Sequence, residues 1–362
     1  MNSILYIMNV DWNWIKQRPH FIAEGLSGFL DKYNVKIIYQ HHYKRKSFQN
    51  RSYDKYDVSA MYVVPSIDRY PVINKLNILL RRFYYAYYIK KNSSNLLYLT
   101  YPTQIESVPN KYKGKIIYDC MDNYPMFNVN KKNRGELIKL ERKICDRADI
   151  IICTSLFLQN ELRKRYGDTI AGKIHLVRNG YSGTIVKNAS ENKHKENVYF
   201  TLCYFGTVSE WFDFDLVLQS LNDFENIKYV IYGPADAEIP KHERIDYRGT
   251  IEHDKLYDAC RDVDCFIMPF KLDEVIEAVD PVKLYEYINF GKPIISVKYK
   301  EVERFRKFAE LYNGYTEYCE AITRVINNKY NLVTEEDRLK FLRENTWDMR
   351  VADIKNLIEE KC

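Results

Sequence analysis

Two series of short apolar runs, separated by one polar stretch, constrain this chain more than any other feature. The first series is "ILYIMNV" (residues 4–10), "VKIIYQHH" (35–42), "MYVVPS" (61–66), "NLLYLTYP" (95–102), "KIIYDCMD" (115–122), "DIIICTS" (149–155) and "KIHLVRNG" (173–180). Segments of helical pattern lie between them. A strand that is apolar without alternation is buried on both faces, which predicts a parallel sheet covered by helices. Residues 181–198, "YSGTIVKNASENKHKENV", are polar and aperiodic and predict a linker. The pattern then restarts with "YFTLCYFGT" (199–207), "IKYVIYGP" (227–234), "IDYRGT" (245–250), "CFIMPF" (265–270) and "KPIISVKY" (292–299), and one long helix over 335–360 closes the chain. The expected fold class is therefore α/β, with two doubly wound, Rossmann-like domains and a cleft between them. The first spans residues 1–180 and is rejoined by a terminal helix at about 345–362; the second spans 199–344.

A length of 362 residues suits two domains. No segment has the roughly 18 uncharged apolar residues of a membrane span, and the N-terminus has no basic region of a signal peptide. The eight cysteines show neither C-x-x-C pairing nor zinc-like spacing, so free core thiols, no metal, no cofactor and a reducing, cytoplasmic compartment are expected. Charge is unevenly placed. Residues 1–180 hold 30 Lys and Arg against 15 Asp and Glu, a balance of +15, whereas the rest hold 25 against 34, a balance of −9. A basic half suits anionic lipid, phosphate-bearing substrates or nucleic acid. No RNA- or DNA-binding motif accompanies it.

In doubly wound sheets, ligands bind beyond the carboxyl ends of the strands. The most informative loop there leads into "DPVKLYEYINFGKPIIS" (280–296). Asp280 is placed to cap a helix, Pro281 to occupy its first position and Gly291 to end it. Lys283 then lies in the first turn, where free N–H groups and the helix dipole favour a diphosphate. Glu286 follows on the same face, at the distance of a ribose from that diphosphate. A surface ion pair between the two is the competing reading. Gly206 and Thr207 form a small-residue turn that would let donor phosphates approach the backbone, or an ordinary strand-to-helix turn.

The basic half offers two further loops. Asp122 falls just past a strand end, where a carboxylate can take a proton from a hydroxyl, or merely stabilise a turn; Asp119 falls inside the strand. In "DWNWIKQRPHFIAEGL" (11–26), Trp12 and Trp14 suit sugar faces and Arg18 a phosphate, and with His20 they are the candidates for acceptor binding, although His20 suits a structural place at least as well as a catalytic one. That loop lacks G-x-G-x-x-G, which argues against a dehydrogenase. Residues 74–91 interleave aromatic and basic side chains and read either as a membrane-surface helix or as a core helix; 41–51 is a basic loop nearby.

"PVKLYEYINFGKPII" resembles the donor-binding signature of GT-B glycosyltransferases. So do "YRGTIEHDKLYDACRDVDCFIMPF", "YFGTVSEWFDFDLV", "VRNGY" and "ENTWDMRVADI" in their places, and the resemblance is nearest to capsule, teichuronic-acid and xanthan-type exopolysaccharide enzymes. It implies that Glu286 holds a donor ribose and that Tyr232 and Gly233 border the nucleobase. The retaining families carry a second Glu seven residues earlier; Val279 stands there, with Glu277 and Asp280 nearby. An inverting reaction with Asp122 as base is therefore expected, from a UDP-sugar to a glycan or polyprenyl-diphosphate-linked acceptor at the anionic inner face of the membrane. A GT-B sugar-nucleotide epimerase and a non-catalytic nucleotide- or glycan-binding subunit are the alternatives.

Overall fold

The computed structural model describes residues 2–29, 31–41, 55–65, 71–187, 198–252, 255–330 and 333–361. The chain divides into two compact units, Met1–Asn179 with Trp347–Cys362, and Gly180–Thr346. The first holds a seven-stranded parallel sheet of β1 (Asn2–Met8), β2 (Tyr33–Gln40), β3 (Asp57–Met61), β4 (Leu96–Leu99), β5 (Lys115–Cys120), β6 (Ile150–Cys153) and β7 (Ile174–Leu176), in the order β3-β2-β1-β4-β5-β6-β7. Helices α1 (Arg18–Ser27), α2 (Pro71–Lys91), α3 (Arg134–Arg147) and α4 (Leu156–Tyr166) connect the strands. The continuous apolar runs are buried on both faces as the pattern requires: Ile4, Leu5, Tyr6 and Ile7 have no exposed surface.

The second unit holds a six-stranded parallel sheet of β8 (Phe200–Phe205), β9 (Ile227–Tyr232), β10 (Ile245–Tyr247), β11 (Cys265–Met268), β12 (Ile294–Val297) and β13 (Glu310–Tyr312), in the order β10-β9-β8-β11-β12-β13. Its helices are α5 (Phe214–Asp223), α6 (Leu256–Ala259), α7 (Val282–Asn289), α8 (Tyr315–Ile326) and α9 (Glu335–Glu344). Strand β13, three residues long, lies outside the apolar runs picked out in the sequence.

The last helix, α10 (Trp347–Lys361), belongs to the first unit. Trp347 stacks on Phe21 of α1 at 4.6 Å, and a β-carbon on Gly25 would stand 2.5 Å from Val351. Ile354 and Ile358 are fully buried there, each worth roughly 1.5–3 kcal/mol. The single terminal helix expected over 335–360 is thus two. Its break falls at Asn345, whose carbonyl accepts from Tyr181 N at 2.7 Å instead of continuing the helix.

The expected linker is also partly ordered onto the second unit. Val186 N donates to Asn289 Oδ1 at 3.0 Å, and Val186 O accepts from buried Arg338 at 2.5 Å. Polar composition suggested a free tether, but side chains of α7 and α9 satisfy its backbone here. Residues 188–197 lie outside the described residues, as do 42–51 of the basic loop.

Each sheet reverses its strand order once, between β1 and β4 and between β8 and β11. Loops leaving adjacent strands diverge at such a point and open a ligand crevice. The segments at the ends of β1, β5, β8, β9 and β11 carry the candidate residues.

Candidate functional site

In the second unit, β8 leaves through Gly206 at φ +140° and β9 through Gly233 at φ +133°. The turns interlock: Gly206 N donates to Tyr232 O at 2.9 Å, and a β-carbon on residue 233 would strike the Gly206 carbonyl. On its other side Gly206 meets Lys283, whose Cε occupies the place a β-carbon at 206 would need. Only glycine combines that φ with that contact. The exposed Thr207 follows, its carbonyl held by Tyr204 Oη at 2.8 Å.

Lys283 lies in the first turn of α7, its ammonium 5.6 Å from the Tyr204 ring and 5.7 Å from the Phe270 ring. Burial lowers its pKa, and Glu286 partly offsets this. Among the described residues Lys283 makes no ion pair and no hydrogen bond, so the surface pair with Glu286 does not form. A half-buried ammonium over two aromatic faces, beside the free N–H groups of a helix start, is a place for an anion. Glu286 follows one turn later and is half-buried.

Two expectations at this helix need correction. Asp280 does not cap it; Pro281 occupies the cap position and Val282 is the first helical residue. The Asp280 carboxylate is buried and turned to Arg304 Nη2 at 2.5 Å and Tyr285 Oη at 3.2 Å. A charge-assisted bond to a guanidinium outweighs a cap to a neutral N–H. Asp280 braces the loop and does not offer itself to a ligand. Tyr232 is likewise committed: its hydroxyl accepts from Arg248 at 2.6 Å and donates to the Ala259 carbonyl at 3.2 Å. The Asp280–Arg304 and Tyr232–Arg248 pairs had no local sequence signal, because each partner comes from a distant segment.

In the first unit the loop after β1 differs from expectation. Trp12 is fully buried, 5.6 Å from the His20 ring, and is no platform for a sugar. His20 is fully buried, and its Nδ1 accepts from Gln17 N at 3.1 Å, so it caps α1. Trp14 is half-buried, its backbone N–H bonded to Asp11 O at 3.0 Å. Arg18 is buried and does not meet solvent phosphate. Its Nε contacts both oxygens of Asp119, at 3.1 and 3.0 Å, and its Nη1 donates to Arg178 O at 3.0 Å. Tyr98 Oη donates to the same carboxylate at 2.9 Å, and Tyr6 stacks on Tyr98 at 4.5 Å. The first apolar run and β5 are thereby tied together through Tyr98 of β4.

Asp122 lies within electrostatic reach of Arg18 and Asp119, two residues past β5 and half-buried. Thr154 Oγ1 holds the neighbouring Met121 carbonyl at 2.9 Å. The carboxylate itself receives no hydrogen bond among the described residues. Its pKa is pushed up from 3.8 to about 6, chiefly by removal from water, with Arg18 pulling it down and Asp119 pushing it up. Such a group is ionised at neutral pH yet basic enough to take a proton. Among the described residues no group of three or more His, Cys, Asp or Glu could hold a metal ion, and the seven described cysteines are free.

No protein-family model matches the sequence. The curated protein "Putative teichuronic acid biosynthesis glycosyltransferase TuaH" of Bacillus subtilis (strain 168) is 25% identical over 214 residues, 53% of this chain and 53% of its own length. The chain thus spans about half the length of that relative. Solved structures match throughout. Sucrose-phosphate synthase from Thermosynechococcus elongatus superposes with TM-score 0.77 at 12% identity, covering 99% of each chain. The lipopolysaccharide outer core galactosyltransferase WaaB gives 0.71 at 13% identity, covering 99% of this chain and 100% of that one. Anabaena Alr3699/HepE in complex with UDP-glucose gives 0.69 at 11% identity, covering 99% of each. At these identities the likeness establishes the fold, which is GT-B.

Proposed function

We propose that this protein is a glycosyltransferase that moves a sugar from a UDP-sugar to a glycan or polyprenyl-diphosphate-linked glycan during synthesis of a bacterial surface polysaccharide. The observation that carries the reading is Lys283 on the bare backbone of Gly206, a cation at a helix start that makes no ion pair or hydrogen bond among the described residues and has Glu286 only as a more distant charge. A donor diphosphate would lie there, with Thr207 beside it, its ribose hydroxyls donating to Glu286 and its nucleobase bordered by Gly233. The likeness to a teichuronic acid glycosyltransferase supports the polysaccharide, and the UDP-glucose complex of a protein of the same fold supports the nucleotide.

In this reading Asp122 removes the proton from an acceptor hydroxyl. The hydroxyl oxygen attacks the anomeric carbon, the bond from that carbon to the diphosphate oxygen breaks, and the configuration inverts. The nucleoside diphosphate leaves with the bonding electrons, its charge met by Lys283 and the α7 N–H groups, so no metal is required for that task. The reaction would take place at the inner face of the cell membrane. Trp14, on the loop after β1, remains the candidate for acceptor contact. The test is a panel of nucleotide sugars followed by thermal unfolding: a UDP-sugar should raise the midpoint in proportion to its occupancy and be consumed only with an acceptor. If no nucleotide sugar raises it, the reading fails; consumption without acceptor, giving an altered sugar nucleotide, would make the protein an epimerase.

A further inference from the structure

Helix α2 turns an apolar face to solvent. Val72, Leu76, Leu79, Phe83 and Tyr87 are 77, 45, 59, 70 and 47% exposed. At 100° per residue, spacings of four, three, four and four place them within an arc of about 80°. The helix cannot roll to hide them, because its other side is fixed. Asn77 is buried, accepting from Val64 N at 2.9 Å and donating to Val64 O at 2.8 Å. Tyr85 is buried and Arg81 donates to Gln40 at 3.1 Å. The segment alongside adds the exposed side chains of Tyr62 and Val64.

The helix carries Lys75, Arg81, Arg82, Lys90 and Lys91 and no acidic residue. Lys75 and Arg82 follow one edge of the apolar stripe, and Lys90 and Lys91 close its C-terminal end; all four are exposed. No described helix is long and apolar enough to cross a membrane. We propose that α2 lies in the plane of an anionic lipid surface, with Leu76, Leu79 and Phe83 inserted among the acyl chains and its cations on the headgroups. The occupant follows from charge. A second copy docked on the same face would bring the cations of both helices together with no carboxylate on either to answer them, whereas anionic headgroups neutralise them. This inference deepens the membrane position in the proposed function, but it is argued from α2 alone, and its test does not depend on the catalytic residues.

The test is flotation of the full chain with vesicles of phosphatidylcholine alone or with 30% phosphatidylglycerol. Binding to the anionic vesicles should be about tenfold or more stronger at low salt and fall steeply by 0.5 M salt, where screening is short-ranged. Leu79→Glu/Phe83→Glu should lower that binding about tenfold or more at an unchanged melting temperature, since both positions are solvent-facing. Equal binding to both vesicle types, or wild-type binding by the double variant, overturns the proposal. So does concentration-dependent dimerisation that the variant abolishes while the wild type ignores vesicles, which would give the face to a second copy.

Discussion

Lys283 lies across Gly206 so closely that the two positions cannot be varied independently. The Cε of the lysine fills the space of the missing side chain, and the glycine holds a φ of +140° that other residues avoid. Gly206→Ala should therefore move the lysine off the turn. UDP affinity, measured by calorimetry, should fall about tenfold or more, as for Lys283→Ala, and the double variant should be no worse than either single one. Additive losses would show that the two positions act separately. Gly233→Ala should damage folding more, because its obstacle is the Gly206 backbone and not a flexible side chain.

Glu286→Ala tests the ribose contact. Losing a charge-assisted hydrogen bond should weaken UDP binding by roughly 1.5–3 kcal/mol. The protein should stay folded, since Glu286 is only half-buried. Unchanged affinity in a folded variant would remove Glu286 from the donor site.

The Arg18–Asp119 pair belongs to the fold. Both side chains are buried, at 5 and 0% exposure. Asp119→Ala leaves the guanidinium in the interior without its counter-charge and should cost about 3–5 kcal/mol in denaturant unfolding. Arg18→Met/Asp119→Leu should recover much of that loss, because removing both charges removes the unmet desolvation. A double variant as unstable as the single one would show that the pair supplies more than mutual neutralisation.

These residues also show what the sequence could and could not reveal. Strands such as β1 and β8 were legible because burial on both faces leaves continuous apolar runs, and Lys283 and Glu286 because helix spacing sets their common face. Arg18, His20 and Trp12 misled because polar and aromatic residues in a crevice loop look alike whether they meet ligand or core. What separates them is a partner far along the chain: Asp119 for Arg18, and for Asp280 the arginine at position 304. Local pattern carries no record of such pairs, just as it gave no warning that Tyr181 would divert the Asn345 carbonyl and break the last helix.

Asp122 gives the prediction with the most at stake. Asp122→Asn keeps size and shape but cannot take the acceptor's proton, so turnover should fall 10²–10⁴-fold, roughly the contribution of a positioned base. UDP affinity should be unchanged, because the residues proposed to hold the nucleotide lie in the other unit. The wild-type rate should rise with pH through about 6 as the carboxylate ionises, a limb the variant should lack. Stability should move the other way. With a folded pKa near 6 against an ordinary 3.8, the folded state holds the proton more tightly, so this group's contribution is full below about pH 4 and lost as pH rises through 6. At pH 7 the Asn variant should then unfold at the same temperature as wild type or a higher one, while being far slower. NMR of the product's anomeric proton should show inversion relative to the donor. Retained configuration, or near-normal turnover by Asp122→Asn, would return Asp122 to a place in the turn.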